Sequence, residues 1–255
     1  MKGISSRVKR IGALALGICL IASMALNWFL YQRDRADYAE IHRVRLDPLG
    51  LLVAWPTTLA GSPEERLPVA VMYGDSRAQD WPTGAVVSGY TIVNRGIGAQ
   101  TTAQVLGRFD AHIAVERPSV VIVQVGINDL KAIPLFPSEE AWIVANCEAN
   151  IQDIVDKSRA IGAQVVLSTV FPVGRVPIER LLVWSDRIPA SVLEVNEFIG
   201  TLEGPDVVVL DSWRILANEQ GQMRPEYSLD TLHVNALGYE ALNTELEAVL
   251  KQLNP

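Results

Sequence analysis

The stretch from Pro68 to Asp80 reads PVAVMYGDSRAQD, and it determines the fold that we expect for the chain. Its first half, Val69 to Tyr73, is a short apolar run, which is typical of a strand buried on both faces of a parallel sheet. Gly74 permits a sharp turn at the end of this strand, so Ser76 is expected at the edge where open α/β folds bind ligands. The same letters also fit a plain turn in which Asp75 or Ser76 caps the next helix.

Four further apolar runs follow, and helical stretches separate them. The strands are expected at 69–73, 90–94, 119–125, 164–169 and 207–210, and the helices at 101–115, 138–161, 189–202 and 235–253. In the longest helix, Ser138 is expected as the amino-terminal cap and Gly162 as the end. Strands that alternate with helices predict the α/β class, as a three-layer α/β/α sandwich around a five-stranded parallel sheet.

Residues 171–188 form the longest irregular stretch of the chain. Loops of this length usually serve a site, so the stretch is interpreted as a lid or rim over the carboxyl edge of the sheet. A plain surface excursion is the alternative.

The composition indicates a globular protein with an appendage at its amino terminus. The chain has 255 residues, of which 49% are hydrophobic and 20% charged. Its net charge is −7, and the body of the chain has no basic stripe, so a nucleic-acid partner is not expected.

The appendage has the pattern of a membrane anchor. Residues 1–10 contain four basic side chains, and residues 11–31 carry no charge and would reach about 30 Å as a helix. Mixed charges follow, so we expect the amino terminus in the cytoplasm and the rest of the chain outside the cytoplasmic membrane. A cleavable signal peptide, with Ser23-Met24-Ala25 as its cleavage site, is the alternative.

Residues 32–66 are interpreted as a juxtamembrane connector, and residues 67–255 as the functional domain. The two cysteines, Cys19 and Cys147, would lie on opposite sides of the membrane boundary. No disulfide is therefore expected, and Cys147 is interpreted as a small buried residue.

A serine nucleophile needs a base, and the chain has three histidines to supply it. His42 lies in the connector, and His112 lies in a helix that is expected on the surface. His233 remains, with Asp230 three residues before it. Asp230 can accept from the imidazole Nδ1 and leave Nε2 free to take the proton of Ser76. A helix cap beside a surface histidine is the alternative for this pair.

Two other strand ends offer hydrogen-bond donors for an oxyanion. The third strand ends in Gly126-Ile127-Asn128-Asp129, which brings the Asn128 amide to the same edge as Ser76. The second strand ends in a glycine-rich turn, residues 94–102, whose backbone N–H groups can point inward. Four separate strand ends or loops thus each supply one part of an acyl-transfer site.

These four segments resemble the four blocks of the SGNH hydrolases, also called the GDSL esterase/lipase family, in their order and approximate spacing. The resemblance covers residues 67–253. It implies a flavodoxin-like fold, no metal and no cofactor. It also implies a triad of Ser76, His233 and Asp230, and an oxyanion hole made by the Ser76 N–H, a backbone N–H of the second block and the Asn128 amide.

Two positions depart from the family pattern. Arg77 stands where the family name has leucine. Gly98-Ala99 stands where the second block usually has two glycines, so the oxyanion glycine of the family falls on Ala99. A negative φ at Ala99 would keep this residue as the donor, whereas a positive φ would favour Gly98.

The resemblance, together with the apolar amino-terminal span, predicts a membrane-anchored serine esterase that acts on acyl esters outside the cytoplasmic membrane. We expect acetyl esters of envelope glycans, because nothing in the sequence resembles a long apolar acyl channel. Four tryptophans are candidates for a sugar platform: Trp81, Trp142, Trp184 and Trp213. The alternatives are a lysophospholipase or short-chain lipase, an acyltransferase, and a glycan-binding protein on the same fold. The oligomeric state is left open.

Overall fold

The computed structural model describes residues 6–53, 55 and 67–253. The chain divides into two compact units, residues 1–50 and residues 51–255. Helix α1 (Ser6–Leu46) forms most of the first unit. Its part Arg10–Leu46 contains an 18-residue window that is long and apolar enough for a membrane span, and this window is not buried. A signal sequence near an amino terminus meets the same criterion.

The expected connector, residues 32–66, is partly helical. Helix α1 continues through the apolar run to Leu46, because residues 32–46 contain neither glycine nor proline. The helix ends shortly before Pro48. Residues 54 and 56–66 of the connector lie outside the described residues.

The second unit is built on a six-stranded sheet. The strands are β1 (Val69–Gly74), β2 (Val86–Val87), β3 (Tyr90–Gly96), β4 (Val120–Gln124), β5 (Gln164–Ser168) and β6 (Val207–Leu210), in the order β2-β3-β1-β4-β5-β6. Five of them are the predicted strands, and all five run parallel. Their order is that of flavodoxin-like sheets. The two-residue strand β2 was not predicted and pairs antiparallel with β3 at the edge.

Helices cover both faces of this sheet. They are α2 (Ser76–Gln79), α3 (Thr102–Gly107), α4 (Phe109–His112), α5 (Ile127–Leu130), α6 (Glu140–Ala160), α7 (Arg187–Thr201), α8 (Ser212–Leu216) and α9 (Ala236–Leu253). Alternate residues of β1 join two separate cores: Val71 and Tyr73 pack with α3 to α7, and Ala70 and Met72 pack with α2, α8 and α9. The predicted three-layer sandwich is therefore confirmed.

Several local predictions differ from the structure. The helix expected at 101–115 is divided into α3, α4 and a 3₁₀ turn (Ala114–Glu116). Helix α6 begins at Glu140 and not at Ser138, because Pro137 opens a 3₁₀ turn that contains the serine. Its expected end is confirmed, since Gly162 has the positive φ, 81°, of a helix-terminating glycine.

Two further predictions concern the burial of His112 and Cys147. The surface position expected for His112 is wrong: the side chain is buried, and its Nδ1 lies 3.2 Å from Arg108 Nη1. Cys147 is fully buried in α6, and burial raises the pKa of its thiol well above the usual range. This thiol is therefore unreactive, in agreement with its interpretation as a packing residue.

Candidate active site

Ser76 is the first residue of α2, directly after the wholly buried strand β1. The turn between them needs a glycine, because a Cβ on Gly74 would stand 1.8 Å from the carbonyl oxygen of Gln124. Asp75 caps the helix, and its Oδ1 accepts from the Arg77 N–H at 2.9 Å. Asp75 is thus the cap, while Ser76 sits at the carboxyl edge of the sheet.

The side chains of Ser76, His233 and Asp230 form one continuous hydrogen-bonded chain. Ser76 Oγ lies 3.1 Å from His233 Nε2, and His233 Nδ1 lies 2.9 Å from Asp230 Oδ2. The histidine comes from the turn before α9, which is 157 residues away from Ser76 in the chain. An imidazole held between a carboxylate and a hydroxyl can accept the hydroxyl proton.

Asp230 also organises the turn that carries the histidine. Its Oδ1 accepts from the backbone N–H groups of Leu232, at 2.7 Å, and His233, at 2.9 Å. Partial burial raises the pKa of Asp230, but the hydrogen bonds from Leu232 and His233 outweigh this effect and lower the pKa to about 2. The carboxylate is therefore ionised at neutral pH and fixes the imidazole with Nδ1 as the donor.

The second-block turn lies against Ser76. A Cβ on Gly98 would stand 3.7 Å from the Cβ of Ser76. Ala99 has a φ of 62°, a left-handed conformation that costs an alanine about 1–2 kcal/mol. A positive φ at Ala99 was expected to make Gly98 the oxyanion donor. The Gly98 N–H is not available for this role, because it donates to Gln79 Oε1 at 2.7 Å. Within the described residues, nothing accepts from the Ala99 N–H.

Asn128 lies in α5, immediately after β4. One hydrogen of its amide group donates to the carbonyl oxygen of Gln100 at 3.0 Å, which leaves the other hydrogen for a ligand. The neighbouring Asp129 accepts from the Thr102 N–H at 2.9 Å and from Thr102 Oγ1 at 2.7 Å. These bonds join the start of α5 to the start of α3 and hold Asn128 beside the second-block turn.

Arg77 is a fully buried charged residue whose role the sequence did not reveal. Its Nε donates to the carbonyl oxygen of Leu232 at 2.9 Å, and its Nη1 donates to that of Phe171 at 3.4 Å. Its guanidinium carbon lies 5.0 Å from the centre of the Phe171 ring. Burial lowers the pKa of Arg77 to about 10, so the residue stays cationic at neutral pH. Arg77, which follows Ser76 in the chain, is therefore bonded to Leu232, which directly precedes His233.

Arg108 is a second buried arginine that sequence reasoning missed. Its guanidinium donates to the carbonyl oxygens of Gly74 and Arg95, each at 2.8 Å, and to Gln100 Oε1 at 2.6 Å. Arg108 thus links the carboxyl ends of β1 and β3 to the second-block turn. An arginine within an otherwise apolar helical stretch was the only available signal.

A groove of about 530 Å³ adjoins Asn128. Of the four tryptophans proposed as a sugar platform, only Trp142 lines this groove, and it is 64% exposed. Trp81 is buried and donates to Asn243 Oδ1 at 2.7 Å. Trp184 and Trp213 pack against the core on the α6 side.

The loop of residues 171–188 begins against the turn that carries His233. The Gly174 N–H donates to the Thr231 carbonyl oxygen at 2.8 Å, and Thr231 Oγ1 donates to that of Arg175 at 3.1 Å. The loop then forms an exposed 3₁₀ turn (Ile178–Val183). A lid function for this turn stays a prediction. No three metal-ligating side chains cluster within the part of the chain that the structure describes.

Known proteins resemble this chain in sequence and in fold. The family model for the GDSL-like lipase/acylhydrolase family matches residues 59–241. Esterase TesA from Pseudomonas aeruginosa is 32% identical over 78 residues, which are 31% of this chain and 35% of that esterase.

Two solved structures share the fold. A GDSL-like lipase from Bacteroides thetaiotaomicron has a TM-score of 0.58 and 20% identity, over 76% of this chain and 92% of that one. An acetylxylan esterase from Geobacillus stearothermophilus has a TM-score of 0.51 and 17% identity, over 76% and 96%. Because the family model matches well over half of the sequence, this chain belongs to the GDSL-like lipase/acylhydrolase family and is a serine ester hydrolase.

Proposed function

We propose that Ser76 is the nucleophile of this hydrolase, His233 its general base and acid, and Asp230 the group that orients the imidazole. The observation that carries the proposal is the continuous chain from Ser76 Oγ to His233 Nε2, at 3.1 Å, and from His233 Nδ1 to Asp230 Oδ2, at 2.9 Å. The ionised state of Asp230 supports it, because an anionic carboxylate stabilises the imidazolium that forms during proton transfer.

In the first half of the reaction, Nε2 of His233 takes the proton from Ser76 as Oγ attacks the ester carbonyl carbon. The carbonyl oxygen becomes an oxyanion and accepts from the Ser76 N–H, the Ala99 N–H and the free amide hydrogen of Asn128. His233 then gives the proton to the alcohol oxygen, which leaves as the acyl-enzyme forms. In the second half, His233 takes a proton from water as the water oxygen attacks the acyl carbon, and it then gives that proton to Ser76 Oγ as the acid is released.

Replacement of Ser76 tests this assignment. Ser76→Ala should fold normally and lose nearly all hydrolysis of a short p-nitrophenyl ester, because a methyl group cannot form the acyl-enzyme. The exposed Ser138→Ala is the matched control and should keep the parental rate. An unchanged rate in Ser76→Ala, with an intact thermal transition, would show that the nucleophile lies elsewhere.

We further propose that helix α1 anchors the enzyme in the cytoplasmic membrane, with the α/β domain outside. The uncharged segment 11–31 of this helix and the four basic residues within positions 1–10 support this orientation. The layers outside the cytoplasmic membrane are removed while that membrane stays closed. Protease added to these cells should digest the α/β domain. Protection of the domain under these conditions, with digestion after lysis, would place it inside the cell.

Acetylated envelope polysaccharide is one candidate substrate, and the exposed ring of Trp142 favours it, because aromatic rings are suitable surfaces for sugars. The sequence-based reason for preferring an acetyl group was the lack of an apolar channel. The apolar groove next to Asn128 removes this reason.

A further inference from the structure

The groove adjoining Asn128 has walls that suit an aliphatic chain. It is formed between the start of α3, helix α5 with the segment that follows it, and the first two turns of α6. Five of its ten lining residues are apolar: Ala103, Ala132, Phe136, Trp142 and Ile143. Asn128 lines the groove as well and belongs to the proposed oxyanion hole, so the groove opens directly beside the position of the ester carbonyl.

The proposed chemistry determines which half of an ester can enter this groove. The leaving alcohol oxygen must take its proton from His233 Nε2, so the alcohol half lies on the side of that histidine. The acyl half must then extend away from it. None of the lining residues comes from the turn 230–233, whereas Thr101 and Asn128 both line the groove. The groove is therefore placed to receive the acyl half.

We infer that this groove binds the acyl chain of the substrate and selects aliphatic chains of medium length, with octanoyl as the representative case. The inference rests on the proposed function of Ser76 and His233. It names the substrate class of that site as medium-chain acyl esters, which differ from acetylated sugars.

The size of the groove excludes an acetyl group as its matching ligand. Its volume of about 530 Å³ lies within the range, roughly 300–1,000 Å³, of pockets that bind drug-sized molecules. An acetyl group would leave most of this space unfilled. Each further methylene that the groove buries should improve transition-state binding about fourfold.

The polar side chains at the end of the groove nearest the proposed oxyanion hole are largely occupied within the protein. Both carboxylate oxygens of Asp129 accept from Thr102, and one amide hydrogen of Asn128 is donated to the Gln100 carbonyl oxygen. A sugar needs several free donors and acceptors, whereas a hydrocarbon chain needs only apolar contact. This end of the groove therefore favours the aliphatic chain.

The test compares chain-length selectivity in two tryptophan variants of the full chain in detergent. Ala103 is exposed and lines the groove, so Ala103→Trp should obstruct the groove without overpacking the core. Ala141 is also exposed and lies on α6 beside Trp142 but does not line the groove. Ala141→Trp is thus the matched control. The measurement is kcat/KM for p-nitrophenyl acetate, butanoate, octanoate and dodecanoate.

We expect the parent protein to prefer octanoate over acetate by at least tenfold. Ala103→Trp should lower the octanoate-to-acetate ratio of kcat/KM at least tenfold, and Ala141→Trp should keep the parental ratio. Preference of the parent for acetate would overturn the inference, and so would an unchanged ratio in a folded Ala103→Trp. If acetylated polysaccharide were deacetylated in preference and Trp142→Ala abolished this preference, the groove would be a sugar site.

The failure of the proposed function has a different signature. In that case esters of every length would be cleaved equally by the parent protein and by Ser76→Ala, or not at all by either protein. Loss of activity in Ser76→Ala together with an Ala103→Trp ratio equal to that of the parent would overturn the acyl-groove inference alone.

Discussion

The proposed nucleophile and the proposed base lie in two regions that are built differently. Ser76 follows a strand without exposed residues, and its neighbours Asp75 and Arg77 are completely buried. His233 and Asp230 lie in a turn where their side chains are 33% and 46% exposed. Packing and a glycine-dependent turn place the serine, whereas hydrogen bonds to one carboxylate hold the histidine.

This difference determines which changes should alter activity and which should alter stability. A substitution on the exposed turn removes a hydrogen bond without leaving a cavity, so it should reduce catalysis at little cost in folding. A substitution beside Ser76 disturbs a close-packed region and should affect both properties.

Asp230→Asn should have the largest effect on the exposed side. The amide can donate to Nδ1 and so favour the wrong tautomer of His233, and it cannot stabilise the imidazolium. We expect kcat to fall by about 10³-fold or more, with a small change in melting temperature. Asp211→Asn is the control, since Asp211 also caps a helix, by accepting from the Arg214 N–H, but lies outside the triad. Similar losses in both variants would refute the assigned role of Asp230.

Asn128→Ala should have the next largest effect. It removes one of three proposed oxyanion donors, which is worth about 3 kcal/mol, so kcat should fall on the order of a hundredfold. KM should change little, because the donor acts on charge that develops in the transition state. A raised KM with parental kcat would instead show that Asn128 binds the ground state.

Arg77→Met tests whether the buried side positions the base. Methionine is apolar and similar in length, but it cannot donate to the carbonyl oxygens of Leu232 and Phe171. We expect kcat to fall about tenfold at an unchanged KM, because His233 loses its link to α2. A variant that is less stable but has parental kcat would limit Arg77 to a structural role.

The same variant should also change the pH dependence of stability. Burial raises the pKa of Asp75 to about 6, and the charge of Arg77 opposes this rise. Without the guanidinium the pKa should rise further, so the folded protein binds the proton more tightly than the unfolded chain does. The free energy of unfolding of Arg77→Met, relative to that of the parent, should therefore fall as pH increases above 6. Denaturant titrations between pH 6 and 8 measure this difference, and a pH-independent difference would contradict the stated cause.

Ala99→Gly should produce the smallest effect and should stabilise the protein. The φ of 62° at Ala99 is unfavourable for alanine, although glycine loses more entropy on folding. The net gain should be roughly 0.5–1 kcal/mol, or about 1–4 °C in melting temperature. A lower melting temperature would show that the methyl group of Ala99 makes contacts that outweigh the strain.

The sequence predicted those parts of the molecule that depend on local patterns. The five parallel strands are short apolar runs, and Ser76, Asn128 and the pair Asp230 and His233 follow strand ends or precede a helix. Arg77, by contrast, contacts carbonyl groups 94 and 155 residues away, which no local pattern reveals.

The donor in the second block and the groove also depended on three-dimensional contacts. Gly98 was excluded because its N–H donates to Gln79, which lies 19 residues earlier, and not by its own identity. The groove is lined by side chains from α3, α5, α6 and the segment between α5 and α6. The sequence of each of these elements alone predicts only an ordinary helix or turn.

The most direct test of Ser76 as the activated nucleophile is covalent labelling of the full-length protein with an organophosphonate fluorophore, followed by peptide mass spectrometry. We expect one labelled site, Ser76. Labelling should be abolished in Ser76→Ala and strongly slowed in His233→Ala. A glycan-binding protein on the same fold should resist the reagent. Label on another residue, or equal labelling of the parent and Ser76→Ala, would contradict the proposal that Ser76 is the activated nucleophile.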